Sequence, residues 1–218
     1  MDGSARPYHP MTLRAIHMVP SGIYTTHSAQ PLTFVAPMLY QIASFLLDVL
    51  GGLFAGACLL RLYMQWQRVG FANPVGGLVF ALTDWLVIPL RRVLVPVGRW
   101  DGASLVAALL LQLVQYFLLA LMWADSAWTW LPWLALLGLM RVVVSGLTGL
   151  LIVHAVLSWV QGRSVLADML ARLSAPLLRP LRRVMPLVHG IDFTPLLALV
   201  LLQVLMIVLG HLQASVLR

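Results

Sequence analysis

Few residues in this chain could do chemistry, and they come in matched pairs. All fourteen basic residues are Arg and all seven acidic residues are Asp. Pro89-Leu90-Arg91-Arg92-Val93 recurs as Pro180-Leu181-Arg182-Arg183-Val184, Asp101 recurs as Asp192, and Gln112 as Gln203, each 91 residues on. Adjacent guanidinium groups suit phosphate or carboxylate binding, because each offers a planar fork of donors. An aspartate ahead of an apolar run caps a helix, pairs with one of those arginines or contacts a ligand. A glutamine inside an apolar run needs a hydrogen-bond partner, either to fix helix packing or to line a polar path. None of these is covalent chemistry. The lone Cys58 excludes an internal disulfide and any cysteine-based zinc or redox motif. His154, His189 and His211 do not fall together as metal or haem ligands, and no phosphate loop, dinucleotide fingerprint or nucleophile elbow is present. The sequence predicts neither an enzyme nor a cofactor.

The elements that position these pairs are duplicated as well. Residues 83–112 realign on 174–203 with thirteen of thirty positions identical. Upstream the offset becomes 93 and pairs Trp66 with Trp159. At that offset Asp48 falls on Arg141, Gly52 on Ser145 and Gly56 on Gly149. Opposite charges therefore hold equivalent places, each one helical turn before a small-xxx-small pattern of the kind that lets helices approach closely in lipid. The expectation is that spans one and three pack through these small faces and that Asp48 pairs with Arg141. The alternative is that each charge snorkels alone to the outer interface.

Composition names the solvent. Hydrophobic residues make up 61% of the chain and charged residues 10%, with a mean hydropathy of +0.93. An ordinary soluble domain is about half apolar and a quarter charged, so much of this surface must face lipid. Four stretches, about 44–66, 103–123, 139–160 and 194–213, are long enough to cross the roughly 30 Å of hydrocarbon as helices. Two shorter segments, about 74–90 and 166–182, carry Pro, Gly, Asp and Arg and read as interfacial or re-entrant. The fold class expected is an all-α membrane protein. Its four transmembrane helices form two parallel helical-hairpin repeats, each with a short amphipathic segment.

Ten of the fourteen Arg lie in the two loops that hold these short segments, counting Arg61 at the end of the first span. The positive-inside rule places both loops in the cytoplasm and both termini outside. Trp128, Trp130 and Trp133 fit an outer belt. The net charge of +7 sits beside hydrophobic spans, which points to anionic headgroups rather than nucleic acid. The domains expected are a disordered extension over 1–37 (absent if translation starts at Met38), a first repeat over 38–124, a Trp-rich connector over 125–138 and a second repeat over 139–218.

Leu60-Arg61-Leu62-Tyr63-Met64-Gln65-Trp66, Asn73-Pro74 and Pro89-Leu90-Arg91-Arg92 resemble the first half of a YggT family protein. Ser158-Trp159, Gly162-Arg163-Ser164, Pro176 to Pro186 and Gly190-Ile191-Asp192-Phe193-Thr194-Pro195 resemble the second. The likeness covers about residues 40–213; Arg99-Trp100-Asp101 departs from it where a Gly-Gly-Ile-Asp type turn is usual. The resemblance implies a multi-pass protein of the bacterial inner membrane. Relatives in photosynthetic organelles are linked to cofactor attachment on a b-type cytochrome and to nucleoid distribution, and bacterial ones to cell-division gene clusters and osmotic tolerance. It supplies no catalytic residue. The function expected is a non-enzymatic scaffold or assembly factor that docks a membrane protein partner, a second copy or anionic lipid on Arg91, Arg92, Arg182 and Arg183. The alternative is an oligomeric ion or small-solute channel.

Overall fold

The computed structural model describes residues 31–94, 101–123, 127–159, 165–184 and 193–216. Six α-helices and one 3-10 turn, with no strand, account for the regular structure of the described residues. They are α1 (Pro31–Trp66), α2 (Pro74–Arg91), α3 (Gly102–Trp123), α4 (Leu131–Trp159), α5 (Val165–Val184) and α6 (Thr194–Val216), with the 3-10 turn at Ala127–Trp130. Five helical stretches are long and apolar enough to cross a membrane: Met38–Trp66, Pro74–Arg91, Gly102–Met122, Leu131–Ser158 and Thr194–Val216. The four spans expected are among them, and α2 joins them. Two helices begin earlier than the sequence reading has them. Helix α1 starts inside the presumed extension, whose residues 1–30 lie outside the described residues, and α4 starts inside the presumed connector. Pro132 sits in the first turn of α4, where a proline costs no hydrogen bond.

The duplication is visible in the packing. Helix α1 packs on α2 and α3 as α4 packs on α5 and α6. Within each repeat the long helices run antiparallel. Asp48 meets Gln115 while Cys58 clusters with Ala103 and Ala107; Arg141 meets Gln213 while Leu151 clusters with Ala198 and Leu202. The repeats join through α3 on α4 and α1 on α4. The latter two run the same way: Gly56 faces Val142 nearer their starts, and Leu150 joins Met64 nearer their ends. Large apolar side chains such as Phe45, Leu53, Val114, Leu196 and Ile207 are exposed along the long helices. Such a surface is consistent with a multi-pass membrane protein.

Local signals set the elbow between α1 and α2. After Trp66 the chain closes a Schellman motif: Arg68 N–H donates to Gln65 O (3.2 Å) and Val69 N–H to Met64 O (3.0 Å). Val69 packs on Met64 as the motif requires. Arg68 takes the left-handed conformation (φ 54°) that glycine would fill without steric cost. Asn73 then caps α2, its Oδ1 accepting from Gly76 N–H (2.8 Å), with Pro74 in the first turn. Gly76 lies so close to Phe71 that a Cβ would overlap its carbonyl oxygen.

Candidate functional site

Two polar regions stand out, at opposite ends of the bundle. The first is a cleft of about 400 Å³ between α1, α3, α4 and α6. Asp48 on α1 and Arg141 on α4 both line it. So do Val49 and Val142, Gly52 and Ser145, and Gln115 and Met206. Each of these is a pair of equivalent positions at the offsets of the duplication, so the cleft lies where the two repeats face one another.

Asp48 and Arg141 share the cleft without forming the direct ion pair expected of them. The ion pairs among the described residues are Arg61–Asp84 and Arg91–Asp101. Stagger gives the reason. Gly56 faces Val142, whose own counterpart is Val49, seven residues or about 10 Å along the helix. Equivalent backbones therefore do not stand side by side. Each charge is held instead by its own amide. Gln115 Nε2 donates to Asp48 Oδ1 (2.6 Å), and Gln112 Nε2 donates to Gln115 Oε1 (3.1 Å). Arg141 Nη1 donates to Gln213 Oε1 (2.9 Å), and Gln213 Nε2 donates to the Tyr116 hydroxyl (2.6 Å).

The glycines divide into two kinds. A Cβ on Gly52 or Gly149 would meet nothing within 4 Å, and one on Gly56 would make ordinary contact with Val142 at 3.7 Å. The small faces of α1 and α4 thus largely border open space, not the tight helix contact expected. The glycines that permit close packing are Gly51 and Gly138. A Cβ on Gly51 would overlap the Gln115 amide, and one on Gly138 would overlap Gln112 Oε1 and the Tyr116 ring. Gln112, 2% exposed, occupies the space that Gly138 leaves. Its counterpart Gln203 is exposed on α6 and is not among the cleft residues, so the matched glutamines do different work.

The second region is the elbow end. Arg61, 3% exposed, donates from Nη1 to Thr83 Oγ1 (2.8 Å) and Asp84 Oδ1 (2.7 Å), with Phe80 beneath its guanidinium at 4.7 Å. This clamp fastens α2 to α1, and Phe54 meets Trp85 edge-on beside it. Arg91 at the end of α2 pairs with Asp101 at the start of α3. Asp101 is 0% exposed and also accepts from Ser104 Oγ (2.6 Å). Burial pushes its carboxyl up, but the hydrogen bonds from Arg91 and Ser104 outweigh that and hold it below the usual carboxylate range. Of the roles open to Asp101 the ion pair is formed, and Asp101 also stands at the capping position of α3, its backbone carbonyl taking the first helical bonds from Ser104 and Leu105. Asp192 lies outside the described residues.

The two short helices have diverged on their outward faces. Helix α2 exposes Leu78, Trp85 and Ile88. Helix α5 exposes Asp168, Arg172, Arg179, Arg182 and Arg183 and buries Met169, Leu170, Leu173 and Leu178. Tyr63 ties α5 to the end of α1 by donating to Leu173 O (2.6 Å). The Pro-Leu-Arg-Arg platforms are therefore unequal. Arg91 is spent on Asp101 while Arg92 stays exposed, and the second copy carries the broader basic surface. No cluster of three or more His, Cys, Asp or Glu able to hold a metal occurs among the described residues.

Sequence comparison agrees with the doubling. A family model described as CCB3/YggT matches residues 40–122 and again 133–213. The uncharacterized protein YggT of Escherichia coli (strain K12) is 39% identical over 166 residues, covering 74% of this chain and 86% of that protein. A Vibrio alginolyticus protein described by its place in the proC 3′ region is 30% identical over 164 residues, covering 73% and 89%. A Pseudomonas aeruginosa protein is 32% identical over 193 residues, covering 81% and 92%. No solved structure matches the chain.

Proposed function

This chain belongs to the CCB3/YggT family, and from that premise we propose that it is a non-enzymatic scaffold or assembly factor of the bacterial inner membrane. It crosses the bilayer four times, by α1, α3, α4 and α6, and its basic elbows face the cytoplasm. The support for four crossings is that both ends of α2 meet the same end of the bundle. Pro74 follows Trp66 by eight residues, and Arg91 pairs with Asp101 at the start of α3, which runs antiparallel to α1. Helix α2 rests its apolar face in lipid, and α5 turns its guanidinium groups to the water and headgroups.

One observation carries the docking role: the exposed arginine stripe of α5 stands on a fully packed apolar back. An anionic partner surface, protein or headgroup, is what such a stripe recognises. The test spares Arg91, which is structural. A photo-crosslinking residue at Ala171, exposed beside the stripe, is placed in the chain in native membranes. A discrete adduct that disappears when Arg172, Arg179, Arg182 and Arg183 become Gln, with insertion intact, is the expected result. An adduct indifferent to those changes, or none, contradicts the reading. The second reading, an oligomeric ion or small-solute channel, has the inter-repeat cleft in its favour and the outward Gln203 against it. Flux in liposomes that depends on Gln112 would select it.

A further inference from the structure

The cleft between the repeats is separate from the elbow and goes beyond the docking role. Four features of it need a common explanation. A carboxylate and a guanidinium line one space of about 400 Å³, yet do not neutralise each other. Each is held by one neutral amide, so neither is discharged: Asp48 keeps an oxygen, and Arg141 most of its five donors, for something else. Both lie on helices that otherwise face lipid. Asp48 is 18 residues before Trp66, about 27 Å along α1. In a hydrocarbon layer about 30 Å thick that is close to the edge remote from the elbows, where a ligand arriving from that side can reach the charges. Finally, Gly52 and Gly146, which both line the cleft, border space that a side chain could fill without clash, so their smallness keeps the cleft open and is not needed for helix contact.

We propose that the cleft binds a small zwitterion, with its ammonium group at Asp48 and its anionic end, a carboxylate or phosphate, at Arg141. A ligand bearing one charge would satisfy one wall and leave the other uncompensated, whereas a zwitterion meets both. The volume lies in the lower part of the range usual for small-molecule sites, about 300–1,000 Å³. Its place between structural repeats is where repeat-built membrane proteins bind their ligands. Gln112 and Tyr116 fix the two amides, and Gly138 gives both the room to do so. The same chemistry is offered by a soluble amino acid and by the headgroup of phosphatidylethanolamine, and the experiment has an arm for each.

The full chain is purified into nanodiscs of phosphatidylglycerol, and binding of radiolabelled phosphoethanolamine and β-alanine is measured by equilibrium dialysis. In parallel, nanodiscs containing phosphatidylethanolamine are analysed by native mass spectrometry for retained lipid. Binding in the first arm identifies a soluble ligand; retention in the second with no binding in the first identifies a headgroup. In either arm Asp48→Asn, Arg141→Gln and Gly52→Leu each lower binding at least tenfold, and ethanolamine or phosphate alone bind at least tenfold more weakly than phosphoethanolamine. The double swap Asp48→Arg with Arg141→Asp restores binding, because the ligand can turn round. Gly52→Leu adds its side chain to open space, so it keeps the test decisive if a charge variant fails to fold. Wild-type binding by Gly52→Leu, equal binding of single-charge probes, or no binding in either arm overturns the proposal.

Discussion

The two kinds of glycine give the sharpest prediction about packing. Gly138→Ala places a methyl group where Gln112 Oε1 and the Tyr116 ring already sit, and within 2.9 Å of the Tyr116 hydroxyl. Gln112 is 2% exposed, so its amide has little room to move aside. Overpacking a filled site costs about 1–3 kcal/mol. Moving the Gln112 amide or the Tyr116 hydroxyl also disturbs the hydrogen bonds to Gln115 and Gln213, at roughly 1 kcal/mol each. The expected loss is about 3 kcal/mol. Gly52→Ala, on the neighbouring helix and lining the same cleft, meets nothing within 4 Å. It gains the helix propensity of alanine and is expected to be neutral or stabilising by up to about 1 kcal/mol. Reversible unfolding by SDS in mixed micelles measures both. Equal stabilities, or a larger loss in Gly52→Ala, would refute the assignment of Gly138 to close packing and Gly52 to open space.

Three further outcomes follow from the elbow. Asp84→Ala leaves Arg61 buried and unpaired, which costs about 3–5 kcal/mol in a closed site; with Asp84 42% exposed and Thr83 and Phe80 still in place, we expect about 2 kcal/mol, and faster hydrogen exchange confined to α2. Arg68→Gly relieves the left-handed residue after α1 and should stabilise the protein by about 1 kcal/mol in the same unfolding assay. The Asp101 carboxyl titrates below its usual range in the folded chain. The stability that its ion pair contributes is therefore fully present above the unfolded value of about 3.9 and is lost as pH falls through the lower folded value. Unfolding curves of wild type and Arg91→Gln should keep a constant gap from pH 8 to 5 and converge only in stronger acid.

The sequence reading reached the fold through hydropathy and repetition. Those signals act over many residues, so errors at single positions average out, and the helices fall close to where composition puts them. Helix starts were misplaced at α1 and α4, where Pro and Trp read as connector but are tolerated in a first turn or beyond the spans. The site was half legible. Residues that match between the repeats stand out in sequence, as Asp48, Arg141 and Gln112 do. Gln115, whose counterpart is Met206, and Gln213, whose counterpart is Met122, do not. These unmatched residues each hold one of the two charges that the stagger separates. Gln115 did carry a signal, since it lies three residues after Gln112 on one helix face. Gly51 and Gly138 carried none, because a glycine that admits a side chain and one that borders open space look alike in sequence. Likewise Arg61 read as one more loop charge until Thr83, Asp84 and Phe80 closed around it.

The proposed topology has two like-oriented hairpins whose elbows share a compartment, and labelling of single cysteines in intact cells and inverted vesicles examines that most directly. The Cys58→Ala background carries one cysteine at a time at position 92, 179 or 215, all exposed in the fold. The prediction is that a membrane-impermeant maleimide reaches 92 and 179 only from the cytoplasmic side and 215 only from the opposite side. Labelling of 92 and 179 from opposing sides would contradict it.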